Sequence, residues 1–100
     1  MSNGNASPFI GQHVLVRTYS AGVHLGELVS KDGTNVILKG ARRLWRWYGA
    51  FTLSEASQKG VAKNSRIAAP VPLIELTEAI EIIPTTDEAR ATFEAIHEKA

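Results

Sequence analysis

Residues 39–48, KGARRLWRWY, concentrate the side chains suited to recognising a planar, anionic molecule. Four of these ten positions are basic (Lys39, Arg42, Arg43, Arg46), three are large aromatics (Trp45, Trp47, Tyr48) and none is acidic. Read as a strand, successive side chains alternate between faces. Arg43, Trp45 and Trp47 then share one face, and Arg42, Leu44, Arg46 and Tyr48 share the other. An indole can stack on a base while the planar fork of an arginine holds a phosphate through two hydrogen bonds. The same pattern also describes an amphipathic strand with buried tryptophans and solvated arginines. Spacing alone leaves both readings open.

Little elsewhere in the chain suits catalysis. The histidines, His13, His24 and His97, lack the i, i+4 spacing of a helical metal pair, and cysteine is absent, which disfavours a zinc site. No serine sits in a G-x-S-x-G elbow, and no GxxxxGK[ST] loop occurs. GVHLG at 22–26 matches neither a phosphate loop nor a dinucleotide fingerprint. Acid–base chemistry would fall to His24 or Glu78, and nothing positions them as a pair. A histidine in a strand more often serves as partner to a backbone carbonyl. Without a nucleophile–base constellation the reading is binding without catalysis, with no cofactor and no metal.

The elements that must position these residues follow from pattern and punctuation. The 100 residues make one domain, with a basic body and an acidic end. Residues 1–70 hold nine basic side chains against three acidic ones, a net +6; residues 71–100 hold two against seven, a net −5. The body could bind an anion, or the acidic end could dock on a neighbouring subunit. Residues 1–11 are small and polar and read as a flexible lead-in, leaving 12–100 as a single ligand-binding domain. The first residues do not read as a secretory signal, and no apolar run approaches the roughly 20 residues needed to cross a bilayer.

Alternation predicts strands at 13–19, 23–30 and 35–39, with Asp32-Gly33 as a hairpin turn. A turn at 39–41 would lead into the aromatic segment as a fourth strand of an antiparallel meander. Thr52 and Glu55 fit a capping box that opens a short middle helix, and Gly60 fits its stop. Residues 61–72 read as an irregular loop anchored by Ile67, with room for a short strand. Residues 73–83 fit both a helical stripe (Leu73, Leu76, Ile80, Ile83) and a strand face (Leu76, Glu78, Ile80, Ile82). The β-branched residues and Pro84 favour strand. Glu78 among apolar neighbours would need an arginine from the basic half, unless it sits at a sheet edge in water.

Residues 85–99 predict the clearest helix, with Thr85 and Glu88 as a capping box and Ala89, Phe93, Ile96 and Ala100 as a narrow apolar stripe. The predicted fold class is therefore α+β: a small antiparallel sheet with a short middle helix and a C-terminal helix. The stripe is too narrow to bury wholly within one subunit. That predicts a dimer-based homo-oligomer in which Phe93 and Ile96 pack across the boundary and Glu94 or Glu98 meets basic residues of the partner. Of Trp45 and Trp47, one is expected in the core and one against ligand or a neighbour.

Three blocks, RTYSAGVHLGEL (17–28), ARRLWRWYGAFTLSE (41–55) and LTEAIEII (76–83), resemble those of a small phage protein family that includes the Thoeris anti-defence sponges of the first-described type. The resemblance covers most of 14–86. It implies a phage protein in the cytoplasm of an infected bacterium. It also implies a ligand, a cyclic ADP-ribose isomer or related cyclic nucleotide made by a bacterial TIR-domain enzyme, bound without cleavage. It further implies a homo-oligomer with pockets near subunit contacts. Such a ligand needs arginines for its pyrophosphate, a ring for its adenine and polar backbone for its riboses. The candidates lie in the first two blocks: Arg17, Tyr19, Ser20, Gly22 and His24, then Arg42, Arg43, Trp45 and Trp47.

Two other classes stay in view. A small phage protein that binds single-stranded nucleic acid would also use arginine and tryptophan on one face. The near-neutral total and the acidic last third count against it, and steep salt dependence would reveal it. An enzyme that cleaves the nucleotide would reveal itself if the ligand were recovered broken.

Overall fold

The computed structural model describes residues 7–96 as six strands and two helices. The strands are β1 (His13–Thr18), β2 (Val23–Asp32), β3 (Asn35–Arg46), β4 (Arg66–Ile67), β5 (Val71–Leu76) and β6 (Ala79–Pro84). Helix α1 (Leu53–Lys59) lies between β3 and β4, and α2 (Asp87–Glu94) follows β6. The predicted α+β class is the observed one.

All pairings are antiparallel. β1 pairs with β2 and with β6, β2 pairs with β3, and β3 carries β5 along its first half and β4 along its second. β5 and β6 thus flank opposite sides of the β1–β2–β3 meander, yet only Thr77 and Glu78 join them. In a flat sheet that link would span four strand spacings, about 19 Å. Three residue steps reach at most about 11 Å. The sheet must therefore curl until its two edges approach.

Curling gives the sheet two apolar faces. Inside lie Val14, Val16, Leu28, Val36, Leu38 and Leu76. On the outer face Leu15, Val23, Leu25 and Leu44 pack beneath the helices, which contribute Ala56, Ala89 and Phe93. β1 is buried on both faces, so Val14, Leu15 and Val16 are all fully covered.

The helices begin where their caps dictate. The Thr52 hydroxyl accepts from Glu55 N at 3.1 Å, the Glu55 carboxylate accepts from Phe51 N at 2.8 Å, and Gly60 ends α1. At α2 the cap is Thr86, whose hydroxyl accepts from Ala89 N at 3.0 Å. It is not Thr85, because the Thr85 hydroxyl is hydrogen-bonded to His13 Nδ1 at 2.6 Å and closes the end of β1. The helix predicted over 85–99 is shorter: it starts at Asp87 and ends at Glu94, with Ala95 as its C-cap, while residues 97–100 and residues 1–6 of the predicted lead-in lie outside the described residues.

Three expectations are corrected. β3 runs unbroken from Asn35 to Arg46, so residues 39–41 do not turn the chain. Gly40, with φ of 59°, shifts the register instead, and the expected third and fourth strands are one. Residues 73–83 are parts of two strands separated by the Thr77–Glu78 link, and β5 begins at Val71 within the expected loop. Phe93 and Ile96 are buried in their own subunit, not held outward for a partner. The curled sheet presents a broad second face, and that face takes up Ala89, Phe93 and Ile96 of the stripe.

Candidate functional site

The β1–β2 turn and the row of β3 beside it gather five of the nine sequence candidates: Tyr19, Ser20, Gly22, His24 and Arg43. Register places Val16, His24 and Arg43 side by side on β1, β2 and β3. The Arg43 guanidinium lies over Gly22, where an added Cβ would come within 3.1 Å of Nη2. Gly22 also has φ of 87°, a conformation other residues adopt with strain. Only glycine supplies both the turn and the seat for the arginine.

Buried His24 shares Nε2 with the Ala21 carbonyl at 2.9 Å, the carbonyl-partner role expected of it. Burial, and secondarily the Arg43 charge, hold its pKa below the ordinary value, against the raising effect of that carbonyl. The Thr18 hydroxyl donates to Gly22 O at 2.7 Å and accepts from Ala21 N at 2.8 Å, which fixes the turn. Ser20 donates to the Glu78 carboxylate, and Tyr19 stands 79% exposed. Glu78 therefore sits at the β5–β6 link, exposed and held by a serine, which matches the water-facing alternative and not the arginine-paired one.

Arg17 pairs with a different carboxylate. Cross-strand register sets it opposite Glu81, and its Nε donates to Oε1 at 2.9 Å. Arg17 belongs to the row of Val23 and Leu44, whereas Arg43 belongs to the row of His24. Adjacent rows point to opposite faces of the pleat, so Arg17 and Arg43 do not form one clamp within a subunit. Of the ion pairs among the described residues, Arg17–Glu81, Lys39–Glu27 and Arg90–Glu94, none uses Arg43.

Arg42 and the two tryptophans have separate places in the fold. Arg42 donates to four carbonyls: Ala68 and Phe93 at 2.8 Å, Ile96 at 2.5 Å and Ile67 at 3.3 Å. It ties the end of α2 to β4, which makes it an anchor of the fold. Arg43, Trp45 and Trp47 do not share a face, because a register shift falls between Leu44 and Arg46 and β3 ends at Arg46. Trp47 packs on the outer core, half-buried, while Trp45 is 49% exposed. The Arg66 and Arg46 guanidinium carbons lie 5.2 and 5.9 Å from the Trp45 ring centroid. Glu81 and Arg66 escaped sequence reasoning because 64 and 21 residues separate them from Arg17 and Trp45, and only the folded register joins them.

Three cavities occur elsewhere among the described residues. One of about 450 Å³ lies between Phe9, Lys31, Thr34 and Ile82. One of about 250 Å³ is lined by His13, Glu27, Lys39, Arg42, Arg90 and Glu94. A shallow groove of about 390 Å³ runs along α2. The Arg43 and Trp45 surfaces line none of these three. Among the described residues no group of three His, Asp or Glu is placed to hold a metal, and no helix is long and apolar enough to cross a membrane.

A family model described as a domain of unknown function (DUF6948) matches residues 11–93. The chain belongs to the DUF6948 family. That match runs from just before β1 into the last turn of α2, so the DUF6948 domain includes both the curled sheet and the helix that Arg42 anchors. No curated protein and no solved structure matches the chain.

Proposed function

We propose that this protein binds a nucleotide of the cyclic ADP-ribose class and sequesters it without cleaving it, as a phage counter-measure to a bacterial immune signal. The observation that carries the reading is the guanidinium of Arg43. It is seated on Gly22, beside buried His24 and the turn that carries exposed Tyr19, and used by none of the ion pairs among the described residues. Such a group offers a phosphate two parallel donors without first breaking a salt bridge. Exposed Trp45, two residues further along β3, offers a flat face for a base. The resemblance of the three sequence blocks to the sponge family supplies the ligand class.

The proposed site has no catalytic pair. His24 faces a backbone carbonyl, Glu78 faces a serine, and neither addresses the other. The surface is open, whereas small-ligand sites bury most of their ligand. A second copy would supply the missing wall, which accords with a homo-oligomer whose pockets form near subunit contacts.

Calorimetry against cyclic ADP-ribose isomers and cyclic dinucleotides tests the reading, followed by denaturation and recovery of the ligand. The expected result is saturable binding, intact ligand, and a loss of affinity of at least about thirtyfold in Arg43→Ala, corresponding to a charge-assisted bond of about 2 kcal/mol. Absence of binding across the panel refutes the ligand class, and broken ligand refutes sequestration. Affinity that instead follows polynucleotide length and collapses with salt would favour the nucleic-acid reading.

A further inference from the structure

The loop between β3 and α1 holds out an aromatic knob. Phe51 is 96% exposed, a position with no folding benefit for a benzyl side chain. The same molecule carries a hole to match. The groove of about 390 Å³ along α2 is walled by Val61, Ala62, Ala91, Thr92 and Ala95, with Lys63 on its rim. Alanines at 91 and 95 lie one helical turn apart, and their small side chains leave the trough open.

Knob and hole lie close together. Ala62 N donates to Tyr48 O at 2.8 Å, so the loop is tied to the groove wall. Phe51 is three residues beyond Tyr48 and within about 11 Å of that tie. This proximity decides the occupant. A two-fold contact uses one self-complementary patch on both copies, so each copy must present knob and hole side by side. Charge agrees as well: the Glu55 carboxylate receives Phe51 N at 2.8 Å beside the knob, while Lys63 borders the hole. Across a two-fold, each Glu55 approaches the partner's rim lysine.

We infer that the Phe51 loop and the α2 groove form an isologous dimer interface, each copy placing its Phe51 in the groove of the other. This contact replaces the Phe93–Ile96 one, which the fold buries. It specifies which surfaces the copies use and is tested with no nucleotide present; a dimer built on other surfaces would overturn it and leave the binding reading standing, whereas a monomer would count against both.

The test is sedimentation of the full chain across a concentration series. The wild type is expected to dimerise with a dissociation constant of about 10 µM or tighter. Phe51→Ser and Ala91→Arg, both at exposed positions, should each weaken dimerisation at least tenfold, with circular dichroism spectra like that of the wild type. Mixing the two variants should give a heterodimer tighter than either variant's homodimer but weaker than wild type, because one retains the groove and the other the phenylalanine, which leaves one of the two symmetric contacts. A wild type that stays monomeric to about 100 µM overturns the inference, since a contact that weak would not form at cellular concentrations. A dimer indifferent to both substitutions, or no heterodimer on mixing, overturns it equally.

Discussion

Replacing Arg42 with Met should unfold the protein at a much lower temperature and leave the intrinsic ligand surface in place. Arg42 is half-buried and donates to four carbonyls from β4, from the adjoining residue 68 and from the end of α2. A hydrogen bond from a charged donor contributes about 1.5–3 kcal/mol, and four on one guanidinium are not additive. Methionine keeps most of the stem packing and none of the donors, which gives a net loss of about 4 kcal/mol. In a domain of this size each kcal/mol moves the melting temperature by about 4–8 °C, so the drop should be on the order of 20 °C. Arg42→Lys keeps the charge but loses the fork, and should fall between. Thermal unfolding by circular dichroism measures the drop, and calorimetry well below the transition measures ligand affinity. The amides at the end of α2 should lose exchange protection first. A melting temperature within about 5 °C of wild type, combined with lost ligand binding, would refute the anchoring role and return Arg42 to the ligand site.

Three further outcomes follow from the geometry. Trp47→Ala should cost about 3 kcal/mol by chemical denaturation, because its ring packs on the outer core. Trp45→Ala should stay within about 1 kcal/mol of wild type while weakening nucleotide binding in calorimetry, because its ring is half-exposed. His13 is half-buried against Phe93; burial, and secondarily the Arg90 charge, lower its pKa to about 4. Between pH 4 and 6.5 the unfolded chain then binds the proton that the folded chain refuses. Stability should fall as pH drops through that window and gain nothing from this residue above it. The full shift would correspond to about 3 kcal/mol, reduced to about 2 kcal/mol by partial solvent screening. Urea titrations between pH 5 and 6.5, where carboxylates contribute little, should show the slope in wild type and a shallower one in His13→Asn, the remainder coming from His24, whose pKa burial also lowers.

The fold was legible wherever local chemistry decides structure. Alternation fixed β1 and β2, Asp32-Gly33 fixed the hairpin, and Thr52 with Glu55 fixed the start of α1, because each signal acts within a few residues. The failures share a cause in long-range geometry. Gly40 resembles a turn in sequence, but inside a paired strand it becomes a register shift. Residues 73–83 satisfied two periodicities because they contain the ends of two strands and the corner between them. The α2 stripe looked too narrow for one subunit because nothing local announces that the sheet curls and exposes a second apolar face. The site was half legible: first-block residues from Tyr19 to His24 converge because a turn keeps neighbours together. Arg42 and Arg43 are adjacent in sequence, and the pleat sends one to the scaffold and the other to the surface.

That division also decides how the charge imbalance should be understood. The net +6 of residues 1–70 resembles a polyanion-binding body only while the chain is unfolded. Folding returns acidic charge to it, since β6 lies along β1 and sets Glu81 on Arg17. Glu78 is brought to the β1–β2 turn, Lys39 lies near Glu27 at 4.0 Å, and Arg42 is occupied by carbonyls. A groove that tracks a nucleic-acid backbone needs a run of cations along one line, so that many counterions are released together. Here the acidic end of the chain is laid across the basic body and breaks such a line. Arg43 is left on the far face of the pleat from Arg17, beside a turn too small for more than a short ligand. A surface of that kind suits the proposed ligand, one or two phosphates with an attached base, by geometry more than by bulk charge.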